Sequence, residues 1–385
     1  MKTIAILGGG IGGLCTAIAL QKKGFQVNIY ESAPVLKALG AGLGLAANAV
    51  KALTDLGMGE ELLQAGAVLT SFEILAENGK LITKTNSLEV SKKFGTDNVT
   101  IHRADLHHLL VQQLQPHTLV LGKACKDFEQ SSTGVRIFFK DGSEAKGDYL
   151  IAADGIHSVV RKKLVPGSVP RYAGYTCWRA VIEGQPEGFH KQKATETWGS
   201  KGRFGIVPLS QNRIYWFACK NAPYQDTHYA KFTTKELSDN FKDYHQPIPN
   251  ILAMTTDEQL IWNDIIDIKP IKQFAFGKVL LCGDAAHATT PNMGQGACQA
   301  IEDAVILANC MSVYATDLEK AFQVFEQKRI SRTTRIVNTS WQLGKVAQLE
   351  NKLLLSLRNT LLRLVPASAN NKQLQFLYAI DFANV

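Results

Sequence analysis

Residues 2–13 read Lys2-Thr-Ile-Ala-Ile-Leu-Gly8-Gly9-Gly10-Ile-Gly12-Gly13 and run into Leu14-Cys-Thr-Ala-Ile-Ala-Leu-Gln-Lys-Lys-Gly24. An apolar, β-prone run, Ile4 to Leu7, meets a glycine cluster, and an Ala/Leu-rich segment at helical spacing then stops at Gly24. A second apolar run, Gln26 to Tyr30, closes on Glu31. Gly8, Gly10 and Gly13 satisfy G-x-G-x-x-G. The first allows a tight turn, the second lets a pyrophosphate approach the backbone, and the third lets helix and strand pack closely. Unpaired N–H groups at the helix start favour an anion. Glu31, eighteen residues beyond Gly13, is placed to accept hydrogen bonds from the ribose hydroxyls of an adenosine. Strand, turn, helix, strand and acid together predict a dinucleotide site. They do not separate NAD from FAD.

The 385 residues are 45% hydrophobic and 20% charged, which predicts a soluble globular protein of two or so domains. The net charge of +8 is dispersed, with no basic stripe carrying interleaved aromatics, so nucleic acid is not an expected partner. The seven cysteines (15, 125, 177, 219, 282, 298, 310) form no C-x-x-C pair and no His/Cys ligand spacing. Reduced, mostly buried thiols in a cytoplasmic protein, without a metal, are the expectation. The apolar N-terminus imitates a signal peptide, but it is read as the dinucleotide strand. No uninterrupted apolar stretch of about 18 residues occurs, so no spanning helix is expected.

Further along, a glycine-rich loop, Leu39 to Leu45, includes Gly44 and precedes Asn48 and a helical stretch, Ala49 to Leu56. It suits either backbone lying against a flat ligand or a flexible connection. Residues 71–90 read as a hairpin turning at Asn78-Gly79. Ile101 to Leu114 is an amphipathic helix buried through Leu106, Leu109, Leu110 and Leu114, with Arg103 at its entry, either as a pyrophosphate ligand or as a plain surface cation. His102, His107 and His108 read as ordinary histidines. Asp148 to Leu164 is strand, turn and helix around Asp154-Gly155, either a crevice segment or a simple turn. Between about 170 and 270 aromatics and alternation dominate, predicting strands at 174–183, 194–198, 203–208 and 213–219 and a helix around 233–245. Gly277 to Ala304 then delivers Asp284 from a buried strand, passes Pro291, and starts a long helix near Gly294. That helix start suits a redox ring gaining negative charge, and His287 reads as structural. The tail, 338–385, reads as helical. Its leucines 353, 354, 357, 361, 362 and 364 sit beside Lys352, Arg358 and Arg363 and are expected to pack across the back of the protein rather than lie on a membrane.

Three blocks carry a resemblance: Gly8-x-Gly10-x-x-Gly13 with Glu31, Asp154-Gly155 with Arg161, and Gly283-Asp284 through Pro291 to Gly294-Gln295-Gly296. In this order and spacing the chain resembles the single-component FAD-dependent monooxygenases, the aromatic hydroxylases. Gly174-Tyr-Thr-Cys-Trp-Arg179 resembles the branch with salicylate and urate hydroxylases and zeaxanthin epoxidase. The implied fold is mixed α/β: a Rossmann-like FAD-binding domain with an inserted, mostly antiparallel substrate sheet and a C-terminal helix. The expected division is 1–70, 97–170 and 272–340 for FAD, 71–96 and 171–271 for substrate, and 341–385 as a helical segment. The family needs no second nucleotide domain, so the resemblance implies FAD, with NADH or NADPH as co-substrate. It further implies a flavin C4a-hydroperoxide from O2, one oxygen passing to a small aromatic or heteroaromatic substrate. Cofactor-binding positions carried over are Gly8, Gly10, Gly12, Gly13, Glu31 with Ser32 at the ribose, Gly44, Arg103 at the pyrophosphate, Asp154, Asp284, and the amides of Gly294, Gln295, Gly296 and Ala297 at the flavin. Arg203 and Tyr215 are carried over as catalytic residues near an anionic or phenolic substrate, and Trp198, Phe204, Phe217 and Pro291 as pocket lining. A monomer or homodimer without stable membrane association is expected. The competing readings are a tetracycline-type or other non-aromatic oxygenase and a flavin-binding protein without catalysis.

Overall fold

The computed structural model describes residues 2–36, 41–365 and 367–382. Leu39 and Gly40 of the glycine-rich loop lie outside the described residues. A six-stranded sheet runs in the order Ala275–Phe276, Val279–Leu281, Tyr149–Ala152, Thr3–Leu7, Gln26–Tyr30, Leu119–Val120. All its pairings are parallel except that of the two strands at the 275–281 edge. Parallel strands covered on both faces are apolar throughout, and Ile4–Leu7, Leu150–Ala152 and Val279–Leu281 are each almost wholly buried. The helices Ile11–Lys22 and Gly296–Val313 pack on each other. Gly12 makes this possible, since a Cβ there would already stand 3.2 Å from Ala300 Cβ. The carboxyl ends of four neighbouring strands deliver Gly8, Glu31, Asp154 and Gly283 to one crevice, the usual ligand position in an open α/β sheet.

A second sheet of seven strands runs Ile261–Ile268, Pro170–Glu183, Arg213–Asn221, Gly202–Pro208, Lys193–Gly199, Ser71–Ala76, Leu81–Asn86. It is antiparallel but for the parallel pair 71–76 and 193–199. Side chains alternate across it. One face, with Trp178, Ile182, Phe204, Ile206, Ile214 and Trp216, is closed by the helices Thr234–Phe241 and Ile248–Ala253. The other carries Tyr175, Cys177, Arg179, Glu196, Trp198, Arg203, Tyr215, Phe217 and Cys219, as the cross-strand register requires.

Some predicted boundaries change for local reasons. The 71–90 hairpin ends at Asn86, whose side chain accepts the N–H groups of Leu88 and Glu89 and so starts a helix, Ser87–Phe94. The predicted 101–114 helix spans Arg103–Gln112, because Val99–His102 pairs with Gly42–Leu45 as a strand. Among the described residues no helix is long and apolar enough to cross a membrane.

A buried ion cluster joins the helix Gly296–Val313 to the long helix Leu318–Ala347. Fully buried Arg329 donates to Asp303 Oδ1 (2.6 Å) and Glu302 Oε2 (2.7 Å), and Arg332 grips Glu302 through two nitrogens (2.8 and 2.7 Å). Burial pushes both carboxyls up, but the guanidiniums, joined by His287 at Asp303, outweigh it and hold both below their ordinary values. A depressed native pKa contributes stability above the unfolded value and loses it as pH falls through the native one. Arg329→Met removes one compensating cation from each carboxyl, leaving Arg332 at Glu302 and His287 at Asp303, so both groups rise from their native values. We expect a loss of about 3–5 kcal/mol at neutral pH, narrowing as pH approaches about 4, in thermal and denaturant unfolding from pH 7.5 to 4.5. A deficit independent of pH would contradict this account.

Candidate active site

The glycine turn is set by close backbone approach. Gly8 has φ +99°, and a Cβ there would lie 2.3 Å from the Ala153 carbonyl oxygen, while one on Gly13 would lie 1.9 Å from that of Gly8. Gly10, which starts the helix Ile11–Lys22, differs, since its Cβ would meet nothing within 4 Å. Space therefore remains where the helix N–H groups converge. Glu31 is fixed beside it, accepting from Gly9 N–H (2.6 Å), Ala33 N–H (2.7 Å) and Ser32 Oγ (2.9 Å). Ser32 thus orients Glu31. His107, read as ordinary, bonds the Gly9 carbonyl through Nε2 at 2.8 Å, which requires the proton on Nε2. Arg103 is exposed at the start of its helix, its N–H bonded to Ala41 O at 2.9 Å beside the Gly42–Leu45 strand.

Across the crevice, Asp154 accepts from Val159 N–H at 3.0 Å, while its Oδ1 is buried without a partner. Burial pushes its pKa up. Buried Arg161 donates to the carbonyls of Ile156, Ala285 (3.1 Å) and Asp284 (3.4 Å), tying the Asp154 turn to the Asp284 turn. Gly283 has φ +57°, its N–H goes to Asp303 Oδ2 (2.9 Å), and Asp303 also holds His287 Nε2 (2.7 Å). Asp284 is left exposed at the crevice.

At the other end, Gly294 (φ +62°) and Gly44 both face open space, a Cβ on either meeting nothing within 4 Å. Cys298, near the start of the helix Gly296–Val313, reaches Gly44 O at 3.8 Å, so the two glycines flank one helix N-terminus. That terminus has no side-chain cap, and its N–H groups and dipole favour negative charge. The Gln295 side chain is buried, accepting from Asn48 (3.1 Å) and Gln299 (2.9 Å) with its Nε2 unpaired. Gly296 opens the helix and Ala297 follows it. A flat, anion-forming ring fits this arrangement of two bare glycines and an uncapped helix.

The sheet face brings some predicted substrate residues together and excludes others. Tyr215 packs on the backbone of Gly42, where a Cβ would stand 2.6 Å from its ring carbon, and Phe217 lies across Gly205 in the same way at 2.1 Å. Burial raises the Tyr215 pKa, so the phenol keeps its proton. Phe204 is excluded. One residue beyond Arg203, it points to the opposite face, stacked on Trp216 (5.2 Å between centroids) and edge-on to Phe241. Trp198 is on the open face but is covered by the Arg358 guanidinium at 5.0 Å. Arg203 is not a free cation: it is buried, paired with Glu196 (3.1 Å) and bonded to Gln348 (3.1 Å). Pro291 is exposed, and its loop is held to the sheet by a bond from Tyr175 OH to Asn292 Oδ1 at 2.9 Å. Sequence reasoning missed that link and Arg179. Arg179 lies opposite Phe217 in register, has no ion pair among the described residues, and keeps a buried, unpartnered Nε. The Cys177 thiol is pulled down by a hydrogen bond from Cys219, with the charges of Arg179 and Arg203 adding to it. Among the described residues no group of three or more His, Cys, Asp or Glu could hold a metal ion.

Residues 1–340 match the family described as FAD binding domain. The chain is 37% identical to an aurachin C monooxygenase/isomerase of Stigmatella aurantiaca, over 97% of this chain and 98% of that one. It is 34% identical to a 3-hydroxybenzoate 6-hydroxylase of Polaromonas naphthalenivorans, over 89% and 87%. The chain belongs to the FAD-dependent aromatic-hydroxylase family. Klebsiella pneumoniae HpxO, solved with FAD and uric acid, superposes on this hydroxylase-family chain with a TM-score of 0.89 at 27% identity, covering 98% and 97%. The family binds FAD, and the bare glycines beside two helix starts leave room for such a cofactor.

The two kinds of glycine behave differently under substitution. Gly10→Val has room in the fold and ordinary φ (−76°), so we expect unchanged circular dichroism and at least about tenfold less bound FAD on purification. Gly13→Ala instead collides with backbone and should lower folding yield itself. A yellow, stoichiometric Gly10→Val protein would contradict the assignment.

Proposed function

We propose that this chain is an NAD(P)H-driven monooxygenase that puts one atom of O2 on a small aromatic or heteroaromatic ring bearing an acidic or carbonyl oxygen. The balanced reaction is substrate–H, O2, NAD(P)H and a proton giving substrate–OH, water and NAD(P)+. The observation that carries the substrate class is Arg179, a largely enclosed guanidinium without a carboxylate partner among the described residues, on the same sheet face as Tyr215 and Phe217. Relatives named for 3-hydroxybenzoate and a structure solved with uric acid support the same class.

On this reading residues 1–70, 97–170 and 272–340 serve FAD, 71–96 and 171–271 the substrate, and 341–385 flank them. Gly8, Gly10, Gly12, Gly13 and Glu31 hold the adenosine diphosphate end, with Arg103, Asp154 and Asp284 along the chain between. The amides of Gly294 to Ala297 and the backbone of Gly44 face the ring. FAD, when bound, supplies electron transfer from the nicotinamide and activation of O2. The protein's part is to favour negative charge at the helix start, to orient the substrate and to exclude water. Arg179 pairs with the substrate oxygen and Tyr215, still protonated, donates to it. Phe217 offers a flat apolar wall. Arg203, neutralised by Glu196, holds Tyr175 and the Pro291 loop in place instead of binding an anion itself. Seven free cysteines favour a reducing, cytoplasmic setting.

The test is a screen of hydroxybenzoates, purines and fused-ring compounds for stimulated oxidation of NADH and of NADPH, with 18O2 and mass spectrometry for the product. We expect 18O in the product of a monocyclic or bicyclic aromatic. A flavin that no ligand allows NAD(P)H to bleach anaerobically would favour a binding protein. Arg179→Gln should raise KM for an anionic substrate about 10–100-fold, the range of one charge-assisted hydrogen bond, with FAD content intact and partial recovery in Arg179→Lys. Unchanged KM would remove Arg179 from the site.

A further inference from the structure

Packing of the tail leucines across the back of the protein is not what the structure shows. In the helix Lys352–Arg363 only Leu355 and Arg358 are buried. Leu353 (82% exposed), Leu354, Leu357, Leu361 and the following Leu364 (72% exposed) face outward. At about 100° per residue these five fall in one stripe about 100° wide. A single exposed leucine is ordinary, whereas a contiguous stripe marks a contact. The helix is firmly seated, not loose. Arg358 crosses inward to the carbonyls of Ala347 (3.2 Å), Val346 (3.3 Å) and Trp198 (3.4 Å), and Arg363 Nε donates to Leu81 O (3.0 Å) on the edge of the seven-stranded sheet.

Charge identifies the occupant. Residues 352–365 contain no Asp or Glu. Exposed Lys352 and Arg363 flank the stripe on the side shared with Ser356 and Thr360, and exposed Lys345 lies in the last turn of the preceding helix, Leu318–Ala347. An interfacial helix needs this pairing, with leucines in the acyl boundary and cations at anionic headgroups. A second copy of the chain meeting this face about a two-fold axis would set the same cations against one another. We propose that the helix Lys352–Arg363 lies in the surface of an anionic bilayer, seated through its leucine stripe and held at the headgroups by Lys345, Lys352 and Arg363. The proposal is independent of the substrate. It runs against the expectation of no stable membrane association.

The test is flotation of the FAD-loaded, full-length protein with vesicles of phosphatidylcholine alone or mixed with phosphatidylglycerol. We expect binding to the anionic vesicles only, weakening with added salt. Leu353→Ser/Leu357→Ser/Leu361→Ser should lower that binding at least about tenfold with FAD content and thermal unfolding unchanged. Because three substitutions can disturb a helix, Lys345→Glu/Lys352→Glu, confined to exposed residues, provides a second arm and should also release the protein. Absence of binding to anionic vesicles, or wild-type binding by either variant, overturns the proposal. So does a concentration-dependent dimer, seen by sedimentation velocity without vesicles and abolished by the leucine substitutions, which would assign the face to a second copy.

Discussion

Asp303 is the constraint on which both ends of the cofactor crevice depend. Its two oxygens serve Arg329 from the long helix, His287, and the backbone N–H of Gly283. Its neighbour Glu302 serves Arg329, Arg332 and Asn48. The residues just after the 279–281 strand, where Asp284 emerges, are thereby bonded to the same helix whose N-terminus faces Gly294 and Gly44. Neither carboxylate is a strong source of net stability, because desolvation offsets much of the attraction. What the cluster confers is position. With every oxygen assigned, the helix start and the Asp284 turn have one arrangement relative to each other, the fixed separation that an extended ligand lying between them would need.

The seven-stranded sheet solves a different problem by parity. Its residues alternate between an oily face under two helices and a face of mixed chemistry, so neighbours in sequence have unrelated jobs. Arg203 and Phe204 illustrate it: one is ion-paired to Glu196, the next is stacked on Trp216. Cations on the mixed face are also unequal. Arg203 and Arg358 are engaged by internal partners, Glu196, Gln348 and backbone carbonyls, while Arg179 has no carboxylate partner among the described residues and leaves its Nε unpartnered. A cation already neutralised cannot strongly select an anionic ligand, because the ligand would have to displace its partner.

The same contrast explains what could be read from the chain. The cofactor crevice is built from backbone, and backbone recognition leaves glycines in a fixed order after apolar strands. Gly8, Gly13 and Gly283 are legible because only glycine tolerates their φ or their neighbours. The parallel strands were legible as continuous apolar runs. The Arg179 assignment and the exclusion of Phe204 were not, since both depend on which way the strand faces, and a one-residue shift in register inverts every side chain. The Asp303–Arg329 pair spans 26 residues and two helices, and no local pattern announces it. His107 looked ordinary for the same reason, its partner Gly9 lying 98 residues away.

Gln348 and Arg358 tie these regions to the tail. Gln348 accepts from Arg203 and, through its carbonyl, from Asn221, and Arg358 reaches both the Trp198 carbonyl and its ring. Gln348 and Arg358 therefore bring buried polar atoms to the mixed-chemistry face of the sheet, while the helix Lys352–Arg363 presents leucines outward. Its amphipathicity has two polar components, the inward Arg358 guanidinium satisfied by carbonyls and a flanking pair of exposed cations, Lys352 and Arg363, the latter giving its Nε to Leu81 O while staying exposed. A helix whose sole purpose was to close the sheet edge would need the first and not the second. The leucine stripe adds little to the fold, since Leu353 and Leu364 are largely exposed and Leu354, Leu357 and Leu361 keep about half of their surface open. The inner half explains why the helix stays where it is, and the outer half is what remains for a surface to bind.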